Sequence, residues 1–155
     1  MVTRSMSLAS NKIIIERYYH ELWNRWDLGI VEEIVASDVR FHGSLGVAAE
    51  GVEGFRRYVQ LVRDAFPDFH NTIEDLIAED DRVAARLRYT GTHSGPLSGV
   101  APTGKPIEYA GLALFHIKER LIASGFVLGD LNGLMRQLGL DTITAQRRPY
   151  EGISE

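Results

Sequence analysis

Residues 82–92, RVAARLRYTGT, set Val83, Ala85, Leu87 and Tyr89 against Arg82, Arg86, Arg88 and Thr90 in alternation. A period of two over that length marks a strand with one buried face. The segment 69–78, joined to it through Glu79-Asp80-Asp81, reads as its antiparallel partner. A second hairpin follows, from Ile107 to Lys118 and from Leu121 to Asp130, across the turn Glu119-Arg120. Gly95, Pro96, Gly99, Pro102, Gly104 and Pro106 punctuate the loop between the hairpins, and this loop is expected to act as a pocket lid.

Upstream the period changes from two to that of a helix. Val52, Phe55, Val59, Val62 and Phe66 recur at steps of three and four until Pro67 ends the pattern, which predicts a helix from about Val52 to Phe66. Ile15, Tyr19, Leu22 and Trp26 make a similar stripe on a first helix starting at Ser10, a plausible N-cap. Asp27 is placed to cap a short second helix carrying Leu28, Val31, Ile34 and Val35, and Val39 to Phe41 reads as a short strand. At the far end Leu131, Leu134, Met135 and Leu138 predict a short helix stopped by Gly139. Helices followed by long antiparallel strands, with Gly111, Gly125 and Gly129 inside strand patterns, predict an α+β fold in which a strongly curved sheet wraps three N-terminal helices. The domain is expected over residues 10–140, with residues 1–9 flexible and 141–155 a polar tail.

Composition narrows the function classes. The chain has 155 residues, 45% of them apolar, and a net charge of −4 with no basic stripe, so nucleic acid is a poor partner. Cysteine is absent, which removes thiolate nucleophiles and Cys-ligated zinc and fits a reducing compartment such as the cytoplasm. No segment has the length of apolar sequence needed to span a bilayer, and residues 1–10 lack the apolar core of a secretion signal. The five histidines are never spaced His-x-x-x-His, and no Gly-x-Ser-x-Gly elbow or phosphate-cradling glycine loop follows a strand. Neither a metal nor a cofactor is therefore expected.

Several stretches together resemble the SnoaL-like polyketide cyclases: VAARLRYTGTHSG at 83–95, PTGK at 102–105, FHI at 115–117 and DLNGLMRQLG at 130–139. YYHELWN at 18–24 and Phe41-His42 extend the likeness, which covers roughly Ile13 to Gly139. The resemblance implies a cone of the nuclear-transport-factor-2 kind, with a pocket between helices and sheet, and pairing into homodimers or larger homo-oligomers through the sheet. It also implies that Asp130 acts as acid/base in an intramolecular aldol closure, assisted by His116. The chain departs from the family where Glu119-Arg120 replaces an Asp-Gly-Lys turn and Phe126 replaces a tryptophan, which bears on substrate identity more than on fold.

Read from the residues, Asp130 has two possible roles. An apolar strand face of Ile122, Ser124, Phe126 and Leu128 would favour the protonated carboxyl of an acid/base, whereas a cap on the last helix would favour the carboxylate. His116 is either a polarising group near a substrate carbonyl or a satisfied core histidine beside Leu112 and Leu114. A two-residue turn at Glu119-Arg120 puts His116 on the face opposite Asp130 unless a bulge intervenes, and Gly125 or Gly129 is expected to supply it. Arg86 is a candidate for binding an anionic substrate group, with a solvated ion pair as the alternative. His42 and His93 are candidates at the pocket mouth, and Trp23 and Tyr58 in the pocket wall. The expected activity is cofactor-free ring closure of a hydrophobic, polyketide-like or aromatic substrate. An isomerase or dehydratase of the same fold and a non-catalytic, small-molecule-binding homodimeric domain are the alternatives.

Overall fold

A computed structural model describes residues 2–140. The chain opens with α1 (Val2–Arg17), which runs directly into one π-helical turn, Tyr18–Trp23. A 3-10 turn (Leu28–Ile30), α2 (Val31–Ile34), β1 (Val35–His42), β2 (Ala48–Glu50) and α3 (Gly51–Ala65) follow. The two hairpins are β3 (His70–Glu79) with β4 (Arg82–Thr92) and β5 (Pro106–Lys118) with β6 (Leu121–Gly129), and α4 (Leu131–Gln137) ends the described chain. Six strands form one open sheet in the order β2-β1-β6-β5-β4-β3, with only β1 and β6 parallel. The expected α+β class, the helix up to Pro67 and both hairpins are all present.

Three local expectations are corrected. Ser10 does not cap the first helix, which begins at Val2. Helix periodicity also fails at Trp26, which has φ of +54° and lies past the π-helical turn, because that turn adds a residue to the hydrogen-bond ring and Asn24 N–H donates to Tyr19 C=O at 2.9 Å. The bulge in the second hairpin lies at Ala123: Ile117 pairs with Ile122 and His116 with Ser124. Gly125 and Gly129 remain in register because something else fills the space of their missing side chains, the Phe115 and Phe41 rings against Gly125 and the Ser44 backbone against Gly129. The tail expected from residue 141 lies outside the described residues.

The core sits between the concave sheet face and the helices. Phe115 projects from β5 onto Tyr18 and Tyr19, with ring centroids 5.2 and 6.0 Å apart, while Phe55 and Val59 of α3 close the other side. Burying a side chain such as Phe115 contributes roughly 1.5–3 kcal/mol. The opposite sheet face is uncovered: Leu112 of β5 is 63% and Phe126 of β6 51% exposed, with Ile77, Leu114 and Leu128 beside them. No described helix is long and apolar enough to cross a membrane.

Candidate active site

Concavity alone leaves a void between the π-helical turn, α3 and the inner sheet face. Tyr18, Tyr19 and Trp23 line it from the turn, Tyr58 and Val62 from α3, Phe41, Asn71, Tyr89 and Val127 from the sheet and Phe69 from just ahead of β3, with Ser44 at one corner. Counted out to its solvent-side opening the void is about 270 Å³, and about 20 Å³ of it is wide enough to admit the centre of a water molecule. Ligand pockets run from roughly 300 Å³ upward, so this chamber is a small one.

Two glycines bring the rings close to the backbone. A Cβ on Gly43 would lie 2.0 Å from Cζ of Tyr58, and one on Gly111 would lie 2.6 Å from the Tyr89 hydroxyl. Tyr89 in turn stacks on Phe69, and Trp23 meets Tyr58 edge to face at 6.0 Å. Asn24 and Asn71 tie the turn to β3, since Asn71 N–H donates to Asn24 Oδ1 at 2.8 Å and Asn24 Nδ2 donates to the Asn71 carbonyl at 2.9 Å.

The polar atoms of the chamber are hydroxyls and amides. Tyr58 receives a long bond of 3.4 Å from Leu45 N–H, and Ser44 is within 3.0 Å of the Tyr109 hydroxyl behind it. Burial pushes the pKa of the Tyr18, Tyr19, Tyr58, Tyr89 and Tyr109 hydroxyls above the ordinary phenol range. These phenols are therefore neutral hydrogen-bond donors at physiological pH.

Of the residues singled out in the sequence, Trp23 and Tyr58 line the chamber. Asp130 sits past the end of β6, exposed, with Oδ1 accepting from Gly133 N–H at 2.9 Å as the N-cap of α4. It is still close to the chamber along the chain, because Val127 is a wall residue and Gly129 packs on Ser44. The bulge at Ala123 puts His116 in line with Ser124, Phe126 and Leu128, but that is the uncovered face. There His116 Nε2 lies 2.7 Å from Asp81 Oδ2. Asp130 N–H bonds to Ala110, six β5 positions from His116, so the two sites are roughly 20 Å apart.

Arg86 also stands on the outer face, 2.6 Å from Asp75, in a half-exposed pair of the kind worth at most about 1 kcal/mol. His42 stacks on Phe126 at 4.6 Å, with Nδ1 3.1 Å from the Val127 carbonyl. His93 is 0% exposed and its Nδ1 accepts from Thr103 N–H at 3.2 Å, which fastens the loop between β4 and β5. That loop contributes no wall residue to the chamber and lies instead on the C-terminal end of α3, where Ser94 and Gly95 N–H groups both donate to the Ala65 carbonyl. The wall residues that sequence reasoning did not assign to the pocket are Tyr18, Ser44, Phe69, Asn71 and Val127, while Tyr19, Phe41, Val62 and Tyr89 are legible only as helix and strand positions.

The architecture has close counterparts among solved structures. TsrD from Streptomyces laurentii shares 27% identity at a TM-score of 0.76, over 84% of this chain and 96% of its own. IdmH from Streptomyces antibioticus, a candidate polyketide cyclase, shares 29% identity at a TM-score of 0.72, over 84% and 99%. AclR from Streptomyces galilaeus, a candidate hydroxylase, shares 25% identity at a TM-score of 0.74, over 85% and 86%. No curated protein sequence matches the chain. The sequence model of the SnoaL-like polyketide cyclases matches residues 13–138, across every element from the latter part of α1 to α4, and the chain belongs to that family.

Proposed function

We propose that the chain is a cofactor-free cyclase that folds a small polyketide-like ester inside the aromatic chamber and closes a ring by an intramolecular aldol step. The observation that carries this reading is the chamber itself, an apolar, ring-lined void whose polar groups are neutral donors. Asp130 removes the acidic proton flanked by two carbonyls, the enolate carbon attacks a further carbonyl of the same substrate, and the resulting alkoxide takes the proton back. Nothing is oxidised and no atom is lost, so the substrate's own carbonyls provide the acidity. His116, paired with Asp81 on the outer face, has no part in this scheme.

The test is incubation of the full chain with β-keto esters able to cyclise, followed by mass and NMR analysis. A ring product of unchanged mass supports the aldol reading, and loss of water or a shifted double bond would assign a dehydratase or isomerase instead. The cap bond from Gly133 to Asp130 favours a second reading, a binding domain without turnover, and ligands recovered unchanged would establish it.

The homodimer implied by the family is proposed to form on the uncovered sheet face. Leu112 lies opposite Leu128 and Leu114 opposite Phe126, making one contiguous apolar patch. Its surroundings carry both charge signs, Arg86 with Asp75, Arg88 with Glu74 and His116 with Asp81, which suits a self-complementary two-fold contact. Leu112→Glu buries a charge from each copy and is expected to raise the dimer dissociation constant roughly 100-fold or more. Sedimentation of parent and variant checks this, and a monomeric parent removes the proposal.

A further inference from the structure

Ser44 is held differently from the other walls of the chamber. Apart from Phe69, those walls belong to helices or strands, and Phe69 is fixed by stacking on Tyr89 and by its N–H bond of 2.9 Å to the Phe66 carbonyl. Ser44 lies in the loop 43–47 between β1 and β2. The loop is closed on itself, with Gly43 N–H donating to the Val47 carbonyl at 2.9 Å and Gly46 N–H to the Gly43 carbonyl at 3.0 Å, a bonding that lets it move as one piece. Two phenols fasten it to the body of the fold. The Tyr58 hydroxyl accepts from Leu45 N–H at 3.4 Å, beyond the usual range for such a bond, and the Tyr109 hydroxyl lies 3.0 Å from Ser44 Oγ. On the outer side Gly46 and Val47 are exposed.

The loop also lies across the way to Asp130. A Cβ on Gly129 would meet the Ser44 carbonyl oxygen at 2.5 Å, and one on Gly46 would meet Leu131 Cδ1 at 3.4 Å, so both chain neighbours of Asp130 touch the loop. Asp130 itself is exposed and is not a wall residue. With the loop in place, only about 20 Å³ of the chamber admits the centre of a water molecule, too little for a substrate. From this geometry we infer that the loop 43–47 is the gate of the chamber, and that its outward swing makes one continuous site of the chamber and Asp130. The inference rests on the chamber being the substrate site. Opening exchanges the bonds at Tyr58 and Tyr109 for bonds to water and withdraws Leu45 from the edge of the core, which costs far less than parting a helix from the sheet. Closure then shuts water out from the reacting atoms.

Val127→Cys and Ala113→Cys test the gate in a chain that has no cysteine of its own. The two positions are cross-strand partners, each 4% exposed, but Val127 is a chamber wall and Ala113 is not. Each full-length variant is treated with methyl methanethiosulfonate, a thiol reagent larger than water, and the labelling rate is read by mass spectrometry. The expected result is that Val127→Cys labels roughly tenfold or more faster than Ala113→Cys, because local opening precedes global unfolding. Adding Tyr58→Phe, which removes the acceptor of Leu45 N–H, should speed Val127→Cys roughly threefold and leave Ala113→Cys unchanged. If circular dichroism shows that Val127→Cys does not fold, Ser44→Cys replaces it in the same comparison. Equal rates at the wall and at Ala113, no response to Tyr58→Phe, or an equal response at both positions would each overturn the inference, since the wall would then open elsewhere or only with the whole domain. The labelling needs no substrate, which separates the gate from the cyclase reading. Gated labelling in a chain that cyclises nothing keeps the gate and loses the cyclase, and cyclisation in a chain that labels equally at both positions does the reverse.

Discussion

Asp130→Asn is expected to lower cyclisation by roughly 100- to 10,000-fold, the usual range for loss of a general acid/base, while stability stays within about 0.5 kcal/mol of the parent. The two halves of that expectation have separate origins. Asn caps helices about as well as Asp, so its side-chain oxygen can still accept from Gly133 N–H, the bond that Asp130 Oδ1 makes at 2.9 Å. It cannot remove a proton. Asp130→Ala removes both functions and is expected to cost about 1 kcal/mol through the lost cap in addition to turnover. The comparison uses steady-state kinetics on the substrate identified by the product screen, together with urea unfolding of all three proteins. Full turnover in Asp130→Asn would reduce Asp130 to a helix cap and leave the proposed aldol step without its base.

How far the sequence was legible follows from which signals were local. The alternation of Val83, Ala85, Leu87 and Tyr89 and the i, i+3, i+4 pattern of α3 are decided by burial on one face, and each survives intact in the fold. Asp27 read correctly as a cap, and the cap bond that was one of two readings of Asp130 is present, because a cap involves only the residues two or three positions on. The extra residue of the π-helical turn was invisible, since Tyr18 to Trp23 fit an ordinary helix equally well until packing against Phe115 and Asn71 is known.

The bulge shows a similar limit. Counting along β5 and β6 revealed that one was needed to put His116 and Asp130 on a common face, and one exists, but glycine was the wrong guide to its position. The glycines were occupied by close approach of Phe115 and Ser44 instead. Parity also says which residues share a face without saying which face is concave. His116, Arg86 and His42 were therefore assigned to a pocket when they lie on the outside of the sheet. Trp23 and Tyr58 do line the chamber, on the helical segments that face the concave side of the sheet.

The largest expected effect on stability is at Gly95. A Cβ there would lie 1.9 Å from the Asp64 carbonyl oxygen and 2.8 Å from its carbon, both backbone atoms at the end of α3 that no rotamer change can move. Gly95→Ala must push the loop off the helix, and the N–H groups of Ser94 and Gly95, at 3.0 and 3.2 Å from the Ala65 carbonyl, are the bonds that would break. Overpacking and the two lost bonds together should cost roughly 2–5 kcal/mol. For a chain of this size that lowers the melting temperature by about 5–15 °C. Gly99→Ala in the same loop is the control, because a Cβ there meets nothing within 4 Å and the only penalty comes from its φ of +79°, about 1–2 kcal/mol. Calorimetry on the pair decides whether the loop is clamped: equal losses would mean that it is not. The same variants answer whether the loop covers the chamber. No wall residue comes from it, so turnover of the substrate identified by the product screen, measured well below the melting temperature, should be unchanged in both. A tenfold change in either would restore the loop to the role of lid that its glycines and prolines first indicated.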